Sequence, residues 1–129
     1  MFVTALALTL AAPACKAFDT VLPRPLSGWT RAGRVLDTGH AVTLARSGDS
    51  IRTTMRIRKA GTFGIALSEA GWIDVAPLRG KPLESVAHGH GPDCSTIRKI
   101  VRYKLRPGTY RVTVNKLKAT RARLMLVSY

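Results

Sequence analysis

The sequence predicts an all-β fold, a small antiparallel β-sandwich of about eight short strands with jelly-roll-like winding. Three observations predict it. Apolar residues alternate with polar or basic ones in short runs. Turns rich in glycine and proline separate those runs at regular spacing, the pattern of a sandwich or barrel. No segment carries a sustained helical stripe. At 129 residues the chain has room for one domain and one core.

Residues 1–17 read as a signal peptide. Phe2 opens an apolar run to Ala12 that ends in small residues, with Ala12 and Ala14, or Cys15 and Ala17, at the peptidase recognition positions. The run is shorter than the ~20 apolar residues of a spanning helix, so no transmembrane segment is expected after leader removal. No Lys or Arg precedes it, which leaves two alternatives: a start a few residues upstream, or an ordinary hydrophobic strand or helix. The export reading places the protein in the periplasm or outside the cell. It also decides the cysteines. A cut after Ala17 removes Cys15 and leaves Cys94 unpaired in an oxidising compartment. A cut after Ala14 with lipid on Cys15 is a second route, although Ala12-Pro13-Ala14 is a poor match to a Leu-led lipobox. Without cleavage, a Cys15 to Cys94 disulfide would close a long loop.

Residues 18–36 contain Pro23, Pro25, Gly28 and Gly33 with no sustained period, and read as a linker or irregular edge. The β-sandwich domain is expected over 37–129, with strands near 40–45, 51–58, 62–68, 72–76, 85–88, 98–105, 109–115 and 121–128. Alternation assigns faces. Tyr110, Val112 and Val114 point inward and Thr109, Arg111, Thr113 and Asn115 outward; Lys99, Val101, Tyr103 and Leu105 share one face; Ala122, Leu124 and Leu126 are buried. If the strands flanking Pro107-Gly108 form a hairpin, Arg98, Arg102, Lys104, Arg106 and Arg111 build one cationic face. Trp29 and Trp72 read as core or edge aromatics rather than a sugar platform, and Asp74 as an outward strand residue.

The formal charge is +14, from 21 Lys and Arg against 7 Asp and Glu, which favours anionic partners but says nothing about fold. Nucleic acid is not the expected partner. The aromatic interleaving that stacks bases is poor, since Tyr103 and Tyr110 point inward, and an exported protein rarely meets nucleic acid.

Chemistry concentrates in Ala87-His88-Gly89-His90-Gly91-Pro92-Asp93-Cys94. Two imidazoles and a thiolate in the spacing His88-x-His90-x3-Cys94 suit copper or zinc, with Asp93 or His40 as a fourth ligand. Arg98 and Lys99 follow and would lower the pKa of a nearby Cys94 thiol. A catalytic cysteine also needs a placed base and an oxyanion site, and the sequence shows neither, so no catalytic residue is assigned.

The run from Ala87 through Ser95-Thr96-Ile97-Arg98-Lys99-Ile100-Val101, followed by Leu105-Arg106-Pro107-Gly108-Thr109-Tyr110, resembles a group of small exported proteins of alphaproteobacteria, sphingomonad types especially. Ala60-Gly61-Thr62-Phe63 and Trp72-Ile73-Asp74-Val75 fit the same group, so the resemblance covers roughly 51–127. The group has no established activity, and some members carry the automatic label homogentisate dioxygenase. Enzymes of that name are much larger cupin-type proteins that hold iron with two histidines and a glutamate, and Glu69 and Glu84 sit in no matching motif here. The hairpin layout is also similar to small β-sandwich domains found after secreted peptidases, a likeness of fold rather than function.

Two functions are therefore expected. The first is an exported, non-enzymatic metal-binding protein using His88, His90, Cys94 and Asp93. The second is an envelope module that binds anionic glycan, lipid or protein through Arg98, Lys99, Arg102, Lys104, Arg106 and Arg111.

Overall fold

The computed structural model describes residues 3–5 and 14–129, so most of the leader reading lies outside the described residues. The rest is almost entirely β. Eight strands run β1 Val42–Ala45, β2 Ile51–Ile57, β3 Gly61–Leu67, β4 Trp72–Pro77, β5 Ala87–His90, β6 Lys99–Leu105, β7 Gly108–Asn115 and β8 Arg121–Ser128. They form two antiparallel sheets, one ordered β1-β8-β3-β6-β5 and the other β2-β7-β4.

The pairings β1 with β8, β2 with β7 and β3 with β6 are nested, each strand of the first half meeting its counterpart from the second. That nesting is the jelly-roll winding. Its last step is missing, because β5 pairs with β6 instead of β4. The seam between β4 and β5 therefore stays open, and a cleft of ≈480 Å3 lies there.

Alternation places the core as expected. Met55 and Ile57 from β2, Val75 from β4 and Val112 and Val114 from β7 meet Ile65, Val101, Tyr103, Leu124 and Leu126 of the larger sheet. The Tyr103 hydroxyl donates to the Ile73 carbonyl at 3.1 Å, joining the two sheets through the core. Tyr103 is 2 % exposed, and burial, reinforced by the charge of Asp74, pushes its phenol up to about 12.

One sequence alternative is resolved and one expectation needs correction. Of the two readings of residues 18–36, linker or irregular edge, the structure has the second, an irregular segment packed on the body. A 3-10 helix at Arg24–Thr30 buries Leu26 and Trp29, which join Ala41, Ala66, Ile97, Met125 and Val127 in a second cluster on the outer face of the larger sheet. Burying a tryptophan removes about 200 Å2 from water, on the order of 5 kcal/mol at ~25 cal/mol per Å2. That layer explains the continuous apolar run Leu124-Met125-Leu126-Val127, since β8 is covered on both sides.

The correction concerns the chain around Pro107-Gly108. It is not a hairpin: β6 belongs to the larger sheet and β7 to the smaller, so the link arches across the sandwich. The Tyr110 hydroxyl holds the arch by donating to the Arg106 carbonyl at 2.8 Å and accepting from the Arg106 amide at 3.0 Å.

Candidate functional site

The loop singled out by sequence is a fastener. Cys94 is disulfide-bonded to Cys15, 79 residues earlier, so its sulfur is neither thiolate ligand nor nucleophile while that bond stands. Hydrogen bonds complete the clasp. The Asp19 carboxylate accepts from the Thr96 amide at 2.8 Å and the Thr96 hydroxyl at 2.5 Å, and the same hydroxyl oxygen accepts from the Trp29 indole at 2.9 Å. The Asp19 amide donates to the Cys94 carbonyl at 3.0 Å. Gly91 packs so closely on Ile97 that a Cβ there would lie 2.1 Å from the Ile97 carbonyl oxygen, which explains glycine at that position.

The proposed ligand set is accordingly dispersed. His88 and His90 both lie on β5, opposite Val101 and Lys99, whereas sequence alternation had ended the strand at His88. Both are exposed, as is Asp93. His88 borders the seam cleft; His90 borders a separate hollow beside Pro92, Arg102 and Tyr129. His40 precedes β1 at the far edge of the sheet, four strand spacings or about 19 Å from β5. It pairs instead with Asp37, Nδ1 to Oδ1 at 3.2 Å. Among the described residues, no group of three or more His, Cys, Asp or Glu is placed to hold a metal ion.

The cations are also redistributed. Arg102, Lys104 and Arg106 stay together along the outer side of β6, where Arg102 lies over the Tyr129 ring, 3.9 Å from its centroid. Arg98 is exposed and borders a hollow with Glu69. Lys99 turns into the seam cleft and donates to the Gly71 carbonyl at 3.0 Å. Arg111 is on the opposite outer surface, donating to the carbonyls of Leu78 and Gly80 at 3.0 and 3.3 Å. The single cationic face built on a β6–β7 hairpin therefore does not exist.

Two partners of Arg111 were missed. Arg52 and Arg56 project outward from β2, and register puts Thr54, midway between them, opposite Arg111. The alternation Ile51-Arg52-Thr53-Thr54-Met55-Arg56-Ile57 carried the signal, but not the neighbour. Around this arginine triangle lie Thr109, Thr113 and Asn115, with Asp74 accepting from Asn115 at 3.4 Å and from the Trp72 indole at 3.2 Å. Among the described residues Arg52, Thr54, Arg56, Thr109 and Arg111 are all exposed on this sheet face, with the 78–80 turn reaching Arg111 at its edge. Among the described residues the only salt bridge is His40 to Asp37, so no Arg or Lys is paired with a carboxylate.

The seam cleft is chemically mixed. Asp74, Glu84, His88 and Lys99 line it with Trp72, Leu83 and Tyr103, so both signs of charge border one concave space. No helix among the described residues is long and apolar enough to cross a membrane. No protein-family model matches the chain, and no curated protein matches it.

Proposed function

We propose that the protein is an exported, non-enzymatic binding module that takes an anionic glycan of the cell envelope on the outer face of its three-stranded sheet. The observation that carries this reading is the triangle of Arg52, Arg56 and Arg111, exposed cations with no carboxylate partner among the described residues. Guanidinium groups recognise carboxylates through paired, planar hydrogen bonds. The neutral residues among and around them, Thr54, Thr109 and Thr113, offer hydroxyl partners suited to sugar hydroxyls rather than apolar wedges suited to lipid.

Polygalacturonate is the probe. Binding is expected to weaken about tenfold or more when salt rises from low to near-molar, where the screening length falls to ~3 Å. Arg52→Gln/Arg56→Gln should remove most of the affinity, and Arg102→Gln/Lys104→Gln should leave most of it. Equal effects of the two pairs, or binding only to phosphatidylglycerol vesicles, would overturn the assignment.

A second reading keeps a two-imidazole copper or zinc site. It is supported by the places of His88 and His90, exposed and two residues apart on one strand, although they border separate hollows. Zinc titration followed by calorimetry tests it: uptake abolished in His88→Ala/His90→Ala supports the site, and no uptake by the native chain removes it.

A further inference from the structure

The clasp at Cys94 bears on how the chain is processed. Its sequence offers Cys15 three incompatible fates: removal with a leader cut after Ala17, lipidation as the first residue after a cut at Ala14, or oxidation to a disulfide. The structure shows the third.

We infer that the exported chain is cut at the Ala14–Cys15 peptide bond, and that Cys15 remains as the first residue of the mature protein, oxidised to Cys94 and not lipidated. The inference rests on the export reading. A cut after Ala17 would take Cys15 away with the leader, so the observed bond could not be an internal bond of the mature chain. It would also leave Cys94, half-buried and with a left-handed φ of 57°, as an unpaired thiol in an oxidising compartment. Lipidation uses the Cys15 sulfur as a thioether, and one sulfur cannot also serve the disulfide. Ordinary leader peptidase needs only small residues at the first and third positions before the cut, which Ala14 and Ala12 supply.

The segment that follows is built to be kept. Asp19, four residues after Cys15, holds Thr96 through both carboxylate oxygens and Cys94 through its amide, so covalent and hydrogen-bonded links close on the same loop. A cut after Ala17 would retain the hydrogen-bonded half and discard the covalent half.

The chemistry balances. Water hydrolyses the Ala14–Cys15 amide, giving a carboxylate on Ala14 and an ammonium on Cys15. One cysteine thiolate then attacks the disulfide of a thiol–disulfide oxidase, and the other resolves the mixed disulfide. The oxidase leaves as a dithiol carrying the electron pair.

The test uses the full chain with its own leader, directed to a bacterial periplasm and analysed by N-terminal sequencing, intact mass and alkylation before and after reduction. Cys15 at the N-terminus, a mass two hydrogens below the reduced chain and no alkylation before reduction are expected. A chain starting at Phe18 with an alkylatable Cys94, an acylated Cys15 in the detergent phase, or an uncut chain would each overturn the inference. Cys15→Ser should still be cut after Ala14, since ordinary leader peptidase does not read the cysteine; loss of cutting in that variant would point to lipoprotein processing and overturn it. Polygalacturonate binding by the same material reports on the arginine face independently, so a wrong N-terminus with intact binding would sink only this inference.

Discussion

Removing the Cys15–Cys94 bond should lower stability chiefly by freeing the unfolded chain. The bond closes a loop spanning 79 residues. The loop-closure relation gives an entropy of about 15 cal/mol/K for that length, or about 4.5 kcal/mol at 25 °C. The chain from Cys15 to Tyr129 has 115 residues, and at ~2.1 cal/mol/K per residue its unfolding entropy is about 240 cal/mol/K. The expected fall in Tm for Cys15→Ser/Cys94→Ser is therefore about 19 °C.

Thermal unfolding followed by circular dichroism measures that fall. A second reading separates chain entropy from local packing: in a Trp72→Phe background, the fluorescence reports Trp29 alone, 0 % exposed beneath the clasp. If entropy dominates, the folded double variant keeps the blue-shifted emission of a buried indole, because Asp19, Thr96 and the second apolar cluster still hold the segment. A fall in Tm below about 8 °C, equivalent to about 2 kcal/mol, would refute the reasoning. So would a red-shifted Trp29 under native conditions, which would make the bond a local docking device.

Two further predictions separate neighbouring residues. Gly91→Ala should cost about 1–3 kcal/mol in chemical denaturation through its clash with the Ile97 carbonyl, whereas Gly89→Ala, with nothing within 4 Å of its added methyl, should stay within about 0.5 kcal/mol of the native chain; equal losses would show that the loop does not pack as described. For Tyr103, whose folded phenol is raised from 10.0 to about 12, stability is fully present below pH 10 and is lost as pH rises toward 12, because unfolding releases a proton across that window. Tyr103→Phe should cost about 1 kcal/mol at neutral pH by losing the bond to Ile73 and should flatten that alkaline decline; denaturation midpoints at pH 8 and 11 for both chains check it, and an unchanged slope would refute the assignment.

The sequence reading captured what each strand buries but not which sheet it joins. Alternation in Tyr110, Val112 and Val114 is the same whether β7 folds back on β6 or arches to the other sheet, because both arrangements bury the same side. Only the partners differ, and β7 finds β2 and β4. The outer layer was hidden for another reason. A 3-10 helix and extended chain anchored by Leu22, Leu26, Trp29 and Leu36 have no period to detect, although Leu124-Met125-Leu126-Val127 already demanded a cover on both sides of β8. The His-Gly-His-Gly-Pro-Asp-Cys run was legible as a place of dense chemistry. Its main use depends on Cys15, Asp19 and Trp29, each 67 or more residues from the Cys94 or Thr96 it binds.

The arch has an electrostatic consequence that a hairpin would have reversed. A single sheet face carrying Arg102, Lys104, Arg106 and Arg111 would set guanidinium and ammonium groups on adjacent strands, ~5–8 Å apart and within the ~8 Å screening length of physiological salt. Sending β7 to the other sheet puts Arg111 with Arg52 and Arg56 on one outer surface and leaves Arg102, Lys104 and Arg106 on the other. The sheets are ~10 Å apart and the side chains extend outward, so the two groups are separated by about 20 Å or more, beyond the range of strong repulsion. The two groups are kept apart, so the net charge of +14 is carried at a smaller cost in self-repulsion. The covering layer distinguishes the two faces. Arg102 is stacked on Tyr129, whereas Arg52 and Arg56 are exposed on the smaller sheet, where a ligand lying flat across it would desolvate them.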